Sequence, residues 1–390
     1  LNLAINKAVI MFSRALLLLV FLFAATAAYP QTEVDPSMKG ALDQQVEELL
    51  KAVRGKRLGF LTNPTSVDSK FRHLVDVLHE DPSTTITALF GPEHGIRGEH
   101  QAGGGVEDYI DPYTGAPVYS LYGSRRAPTA EQLEDVEVLL YDIQDVGSRF
   151  YTFVWTMTHA MEACAANGVD FIVFDRPNPI GVDKVEGAPN ERDYGLIGRL
   201  WPGQPFGVAT RHGMTSGEIA TLVNKEWMEP KVNLSVIKVP DYTRGMTFAE
   251  TGYPWVFPSP NMPTIDTAIV YPGMCVFEGV RISEGRGTTK PFELTGAPFI
   301  NGKEFSEKLN AKSLPGVRFR HAVFTPTFDD LAGKACNGIQ VHVTDEKTFR
   351  PILTGLTVLE VLWDMYPEEV SFTGSASRLM GVPDLEDRIK

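Results

Sequence analysis

Four times in its first half the chain repeats one grammar. A short, mostly apolar run is followed by a polar cluster set by proline or glycine, and then by a helical stretch. The runs cover residues 57–61, 85–90, 136–141 and 169–174, and a fifth covers 234–239. The helical stretches lie at 73–78, 130–133, 153–167 and 215–227, with a further one at 41–53 ahead of the first run. Strands alternating with helices require right-handed crossovers and give a parallel, Rossmann-like sheet. Nearly continuous apolar strands fit a sheet covered on both faces.

A parallel sheet sets all its strand carboxyl ends on one edge, and ligands bind there, near the topological switch point. Four polar clusters converge on that edge. They are Asn63-Pro64, Glu93-His94, Asp142 with Gln144-Asp145, and Asp175-Arg176 with Asn178. Loops are polar wherever they meet solvent, so one cluster would carry little weight. Four on one rim predict a site.

The pattern changes after about residue 241. A proline-rich segment at 253–263 holds Trp255, Phe257 and Asn261. Beyond it lie an apolar stretch at 267–270, a glycine-rich charged loop, a helix near 303–309, strands near 317–324 and 338–343, and a helix near 353–365. The expected fold is therefore α/β, a Rossmann-like domain over 41–260 and a smaller α+β domain over 261–390, with the active site in the cleft between them. A chain of 390 residues suits two such domains.

Residues 11–28 read as a signal peptide. Arg14 precedes an apolar run that ends in small residues, and the run is shorter than the roughly 20 apolar residues of a membrane span. Residues 1–10 read as an upstream extension. The expected mature protein is exported, periplasmic or secreted, with no membrane anchor. A net charge of −13 argues against nucleic acid as a partner. Cys164, Cys275 and Cys336 are odd in number and widely spaced, so they outline neither a disulfide framework nor a metal site.

Cofactor motifs are missing where their mechanisms need them. The first strand ends in Thr62-Asn63-Pro64-Thr65, and Gly103-Gly104-Gly105 follows no strand, so no dinucleotide fingerprint is formed. No nucleophile elbow occurs. His94 and His100, with Glu93 and Glu99, lack the spacing of a zinc site. No cofactor and no metal are expected. What remains is acid–base chemistry by carboxylates. Glu93 follows an apolar strand and Pro92, a placement suited to a general acid, with an ion pair to Arg97 or Arg149 as the plain alternative. A second constellation, Glu278, Arg281, Glu284, Arg286, Lys290 and Glu293, lies in a loop able to close over the rim. Tyr151, Trp155, Trp201, Trp255 and Phe257 supply aromatic surface for a sugar ring or for the core.

Five stretches, LFGPEHGIRGEHQAG, YDIQDVGSRFYTF, FDRPNPIG, FPSPNMPT and EGRGTTKPFE, resemble the YbbC-like family, described as exo-β-N-acetylmuramidases of the NamZ type. The resemblance runs from about residue 57 to the C-terminus. It implies a Rossmann-like domain with a smaller α/β domain, and a glycosidase that releases terminal β-linked N-acetylmuramic acid from peptidoglycan fragments. It implies Glu93 as the catalytic acid, with His94 beside it. Asp175 or Glu284 would then be the base or nucleophile. Arg286 and Lys290 would bind the lactyl carboxylate. Asn63, Gln144, Arg149, Tyr151, Arg176, Asn178 and Asn261 would contact the rest of the sugar. The acetamido group assisting its own departure is the exception to two-carboxylate chemistry. A non-catalytic muropeptide-binding protein and a metal-dependent amidase or esterase of wall fragments are the alternatives.

Overall fold

A computed structural model describes residues 34–98, 107–191 and 198–389. The expected signal peptide, Glu99, His100 and Gly103-Gly104-Gly105 lie outside the described residues. Among the described residues, no helix is long and apolar enough to cross a membrane.

The N-terminal part runs α1 (Ala41–Val53), β1 (Arg57–Thr62), α2 (Leu74–Glu80), β2 (Thr85–Gly91), β3 (Tyr109–Ile110), β4 (Pro117–Ser120), α3 (Ala130–Leu133) and β5 (Val138–Asp142). It continues with α4 (Phe153–Asn167), β6 (Asp170–Phe174), β7 (Glu186–Glu191), β8 (Phe206–Arg211), α5 (Ser216–Leu222), β9 (Leu234–Ile237) and α6 (Phe248–Thr251). The sheet order is β3-β4-β2-β1-β5-β6-β9, with only the short β3 antiparallel to its neighbour. Order therefore reverses between β1 and β5, the doubly wound arrangement whose switch point is a ligand crevice.

Side chains alternate across this sheet and both faces are covered. Leu61, Leu139, Tyr141, Phe171 and Val173 face α4 and α5, and their neighbours Phe60, Val138, Leu140, Ile172 and Phe174 face the layer holding α1 and α2. Helix α1 buries Leu42, Val46, Leu49 and Val53, one stripe at helical spacing. Helix α4 stops at Gly168, whose φ of +68° is a left-handed cap that glycine adopts without steric cost.

The C-terminal part comprises α7 (Ile265–Met274), β10 (Leu294–Ala297), α8 (Gly302–Ala311), β11 (Val317–Phe324), β12 (Cys336–Val343), α9 (Pro351–Met365), α10 (Ser375–Met380) and α11 (Leu385–Ile389). Its sheet is antiparallel in the order β10-β12-β11. The structure departs from the sequence reading in several places, and β3, β4 and β10 are strands the sequence reading did not include. The apolar stretch at 267–270 is the middle of α7, not a short segment of its own. The polar sequences around 186–191 and 206–211 pair as a hairpin, which the sequence reading left without structure. The core facing α4 continues unbroken into the C-terminal part, through Tyr271, Phe277, Phe292, Ile339 and Val358.

Candidate active site

Glu93 stands one turn beyond the end of β2. Pro92 fixes the backbone entering the turn, and the Gly95 amide donates to the Pro92 carbonyl at 3.1 Å to close it. His94 is buried with φ +77°, a left-handed conformation that non-glycine residues adopt at a cost. The chain leaving the turn is clamped by Arg97, which forks to Asp76 at 2.8 and 3.0 Å and to Asp111 at 3.1 and 3.2 Å. Tyr122, just past β4, hydrogen-bonds Glu93. Burial and the neighbouring carboxylate push its phenol up to about 12, so it remains a donor.

Glu93 and His94 form one wall of a cavity of about 150 Å³. The segment between β5 and α4 adds Phe150 and Tyr151, and the proline-rich segment adds Ser259 and Asn261. The opposite wall belongs to the C-terminal part, with Tyr271, Cys275, Glu278, Arg286 and Leu379. An adjoining hollow of about 250 Å³ shares Glu278 and Arg286 and adds Glu284, Phe328, Asp329 and Asp330.

The cavity walls carry specific chemistry. The Tyr151 hydroxyl is buried and has no hydrogen-bond partner among the described residues, although the residue is only 9% exposed. Burial pushes its phenol up, so it faces the cavity as a donor. Arg286 donates from Nη2 to Glu278 Oε1 at 2.7 Å and lies 5.3 Å from the Phe292 ring centre. Its buried Nε sits 3.7 Å from Glu284 Oε1, beyond hydrogen-bond reach, and has no partner among the described residues. Burial pushes the Glu278 carboxyl up, against the pull of Arg286, and pushes Glu284 up to about 7. The Glu278 carboxyl also hydrogen-bonds the Cys275 thiol.

Of the residues singled out from sequence, Glu93, His94, Tyr151, Asn261, Glu278 and Arg286 line this cavity. Glu284 lines the adjoining hollow, 3.7 Å from Arg286 Nε. The others are not among the residues lining the cavity. Asp175 accepts from Thr215 Oγ1 at 2.6 Å and the Gly217 amide at 2.9 Å, anchoring the start of α5. Burial pushes its carboxyl up to about 6. It opens onto a different hollow, about 580 Å³, with Tyr242 and Arg244.

The switch point itself is filled. Arg176 pairs with Asp142, with Nη2 at 2.8 Å, and also donates to the Val67 carbonyl; both side chains are buried. Asn63 closes the turn after β1 by accepting from Thr65, and Gln144 donates to the Asp145 and Pro177 carbonyls. Asn178 bonds the Met214 carbonyl and the Ile180 amide. Arg149 is fully buried and reaches across to the Leu379 carbonyl at 2.6 Å. Lys290 is held by Glu293 at 3.0 Å. The expected pairing of Arg286 with Lys290 on one carboxylate is thus not formed at this cavity.

Tyr122, Tyr271 and Cys275 were not singled out for the site from sequence, and Glu278 was read only as one charge of the glycine-rich loop. Tyr271, Cys275 and Glu278 follow a spacing of four and then three, which is one face of a helix. Helix α7 continues into a tighter 3₁₀ turn (Cys275–Gly279), and that face turns to the cavity. The signal was a polar stripe inside an apolar helix. Among the described residues, no group of three or more His, Cys, Asp or Glu side chains is placed to hold a metal ion.

The chain matches the family model described as "Exo-beta-N-acetylmuramidase NamZ, N-terminal" over residues 58–266 and its C-terminal counterpart over 269–390. It is 46% identical to the peptidoglycan β-N-acetylmuramidase NamZ of Bacillus subtilis, over 96% of this chain and 91% of that one. Two crystal structures of DUF1343 family proteins from Bacteroides fragilis share the fold. One has a TM-score of 0.81 at 34% identity, covering 92% of each chain. The other has a TM-score of 0.68 at 29% identity, covering 90% of this chain and 89% of that one.

Proposed function

The chain belongs to the NamZ family of exo-β-N-acetylmuramidases, and on that premise we propose that it releases N-acetylmuramic acid from the non-reducing ends of peptidoglycan fragments, with Glu93 as the general acid. The observation that carries this reading is the cavity between the two parts. A carboxyl group on a clamped turn faces a wall bearing a cation with an unused donor.

Each wall has a task in this reading. Glu93 gives its proton to the glycosidic oxygen as the bond to the sugar breaks. Tyr122 and the Arg97 clamp keep the carboxyl in place, which matters because general acids act through fixed geometry. The free Nε of Arg286 suits the lactyl carboxylate, the group that distinguishes muramic acid from glucosamine. The Tyr151 hydroxyl suits the acetamido carbonyl.

The test uses a chromogenic β-N-acetylmuramide beside the matching N-acetylglucosaminide. The wild-type protein should cleave the first and spare the second. Glu93→Gln keeps the size of the side chain and removes the proton, and should lower kcat by about 10²–10⁴-fold. Release at the wild-type rate by that variant would remove Glu93 from the acid role. Equal cleavage of both substrates would remove the carboxylate from recognition.

A further inference from the structure

We propose that Glu278 is the second catalytic carboxylate, acting opposite Glu93 from the wall supplied by the C-terminal part. This rests on the muramidase reading of the cavity and names the group which that reading leaves open. Placement is the first argument. Among the described residues, Glu93 and Glu278 are the carboxylates that line the cavity, Glu93 from the N-terminal part and Glu278 from the C-terminal part. Their charges act on one another.

The competing acids are engaged elsewhere. Asp175 anchors α5, Asp142 is bound by Arg176 and Ser66, and Glu293 is held by Thr267 and Lys290. Glu284 lines the adjoining hollow and not this cavity. Glu278 is also held in place by its neighbours. Burial raises its pKa above the ordinary carboxylate range, and the 2.7 Å bond from Arg286 to Oε1 opposes that shift. Cys275, one turn earlier on the same helical face, steadies the carboxyl through its thiol.

The chemistry balances with water as the only co-reactant. Glu93 protonates the leaving oxygen while the C1–O bond breaks and its electron pair stays on that oxygen. A Glu278 oxygen then bonds C1, and a water that loses its proton to Glu93 later displaces it; or Glu278 takes the proton from the water that bonds C1 directly. The anomer released tells the two sequences apart.

The alternative role for Glu278 is to hold Arg286 in place. Glu278→Asp separates the two roles. It keeps the charge for Arg286 and withdraws the carboxylate by one methylene. We expect kcat on the chromogenic β-N-acetylmuramide to fall by about 10²-fold or more with KM near the wild-type value. Glu278→Gln should also lose the acidic limb of the kcat/KM profile, and azide should restore turnover to Glu278→Ala with formation of a glycosyl azide. Folding of each variant is read from its melting temperature. Glu278→Asp with wild-type kcat, or a loss confined to KM, overturns the proposal while leaving the muramidase reading intact. A wild-type protein that releases no N-acetylmuramic acid overturns the muramidase reading, and this proposal with it.

Discussion

Arg286 joins two acidic neighbours at the cleft, and only one of them bonds it. Glu278 accepts a hydrogen bond from its Nη2 at 2.7 Å, and Glu284 lies 3.7 Å from Nε with its carboxyl pushed up to about 7 by burial. Below pH 7 Glu284 is neutral, and Nε is available to a substrate carboxylate. Above pH 7 Glu284 is anionic and competes for the same donor, while the lactyl carboxylate is ionised throughout. The KM of the wild-type protein for an N-acetylmuramide should therefore rise between pH 6 and pH 8 by about three- to tenfold, on the order of 1 kcal/mol. Glu284→Gln should flatten that rise, and steady-state kinetics at three pH values will show it. Identical slopes in the two proteins would separate Glu284 from substrate binding. At this scale the sequence exposed Glu93, because a proline-set turn after an apolar strand marks the position. It showed Glu278 as one charge of a loop and not as part of a site wall, because Tyr271, Cys275 and Glu278 share a face only once α7 is seen to continue into the 3₁₀ turn that ends at Gly279.

Helix α7 carries that face, and helix α9 holds α7. The two cross at a glycine pair. A Cβ on Gly355 would lie 2.2 Å from the Gly273 carbonyl oxygen, and one on Gly273 would lie 1.8 Å from the Pro351 carbonyl oxygen. Backbone meets backbone there, so no side-chain adjustment relieves a clash. Gly355→Ala should force the helices apart at a cost of about 1–3 kcal/mol. It should lower the melting temperature by several degrees, and it should lower kcat more than the stability loss alone explains, because Tyr271, Cys275 and Glu278 move with α7. A variant that melts lower but turns over normally would show that the crossing does not set the wall. The elements that were legible were those whose own residues specify them. The central strands are apolar on both faces, and α1 and α4 carry helical stripes. The β7 strand, Glu-Gly-Ala-Pro-Asn-Glu, has no strand signal of its own. It is held by pairing with β8, by Glu191 donating to the Gly381 carbonyl, and by Glu186 accepting from the Leu353 amide. The polar rim was legible as a place and not as a set of partners. Arg176, Asn178 and Gln144 satisfy loop carbonyls and carboxylates that burial would otherwise leave bare, a task that one residue's identity does not reveal.

Domains joined in one chain usually meet over modest, polar surfaces and move and melt separately. The junction here is different. Phe150 and Tyr151 from the N-terminal part pack edge-on against Tyr271, with ring centres 5.3 and 5.9 Å apart, and Tyr271 packs on Phe292 at 4.7 Å. Arg149 passes through the same junction to the Leu379 carbonyl, buried deeply enough that its guanidinium is pushed down to about 10. A single apolar cluster runs from Leu61 and Tyr141 to Val358 and Leu362. Separating the halves would expose these aromatic rings to water and leave the Leu379 carbonyl without the Arg149 bond, so neither half has a complete interior alone. Differential scanning calorimetry of the whole protein should therefore show one transition, with van't Hoff and calorimetric enthalpies agreeing. A fragment ending at residue 266 should lack a cooperative melt. Two resolved transitions, or a fragment that melts cooperatively, would show that the cavity lies between independently stable bodies. The wall bearing Glu278 would then be free to move relative to Glu93, and the fixed geometry argued for the pair would have to come from the substrate.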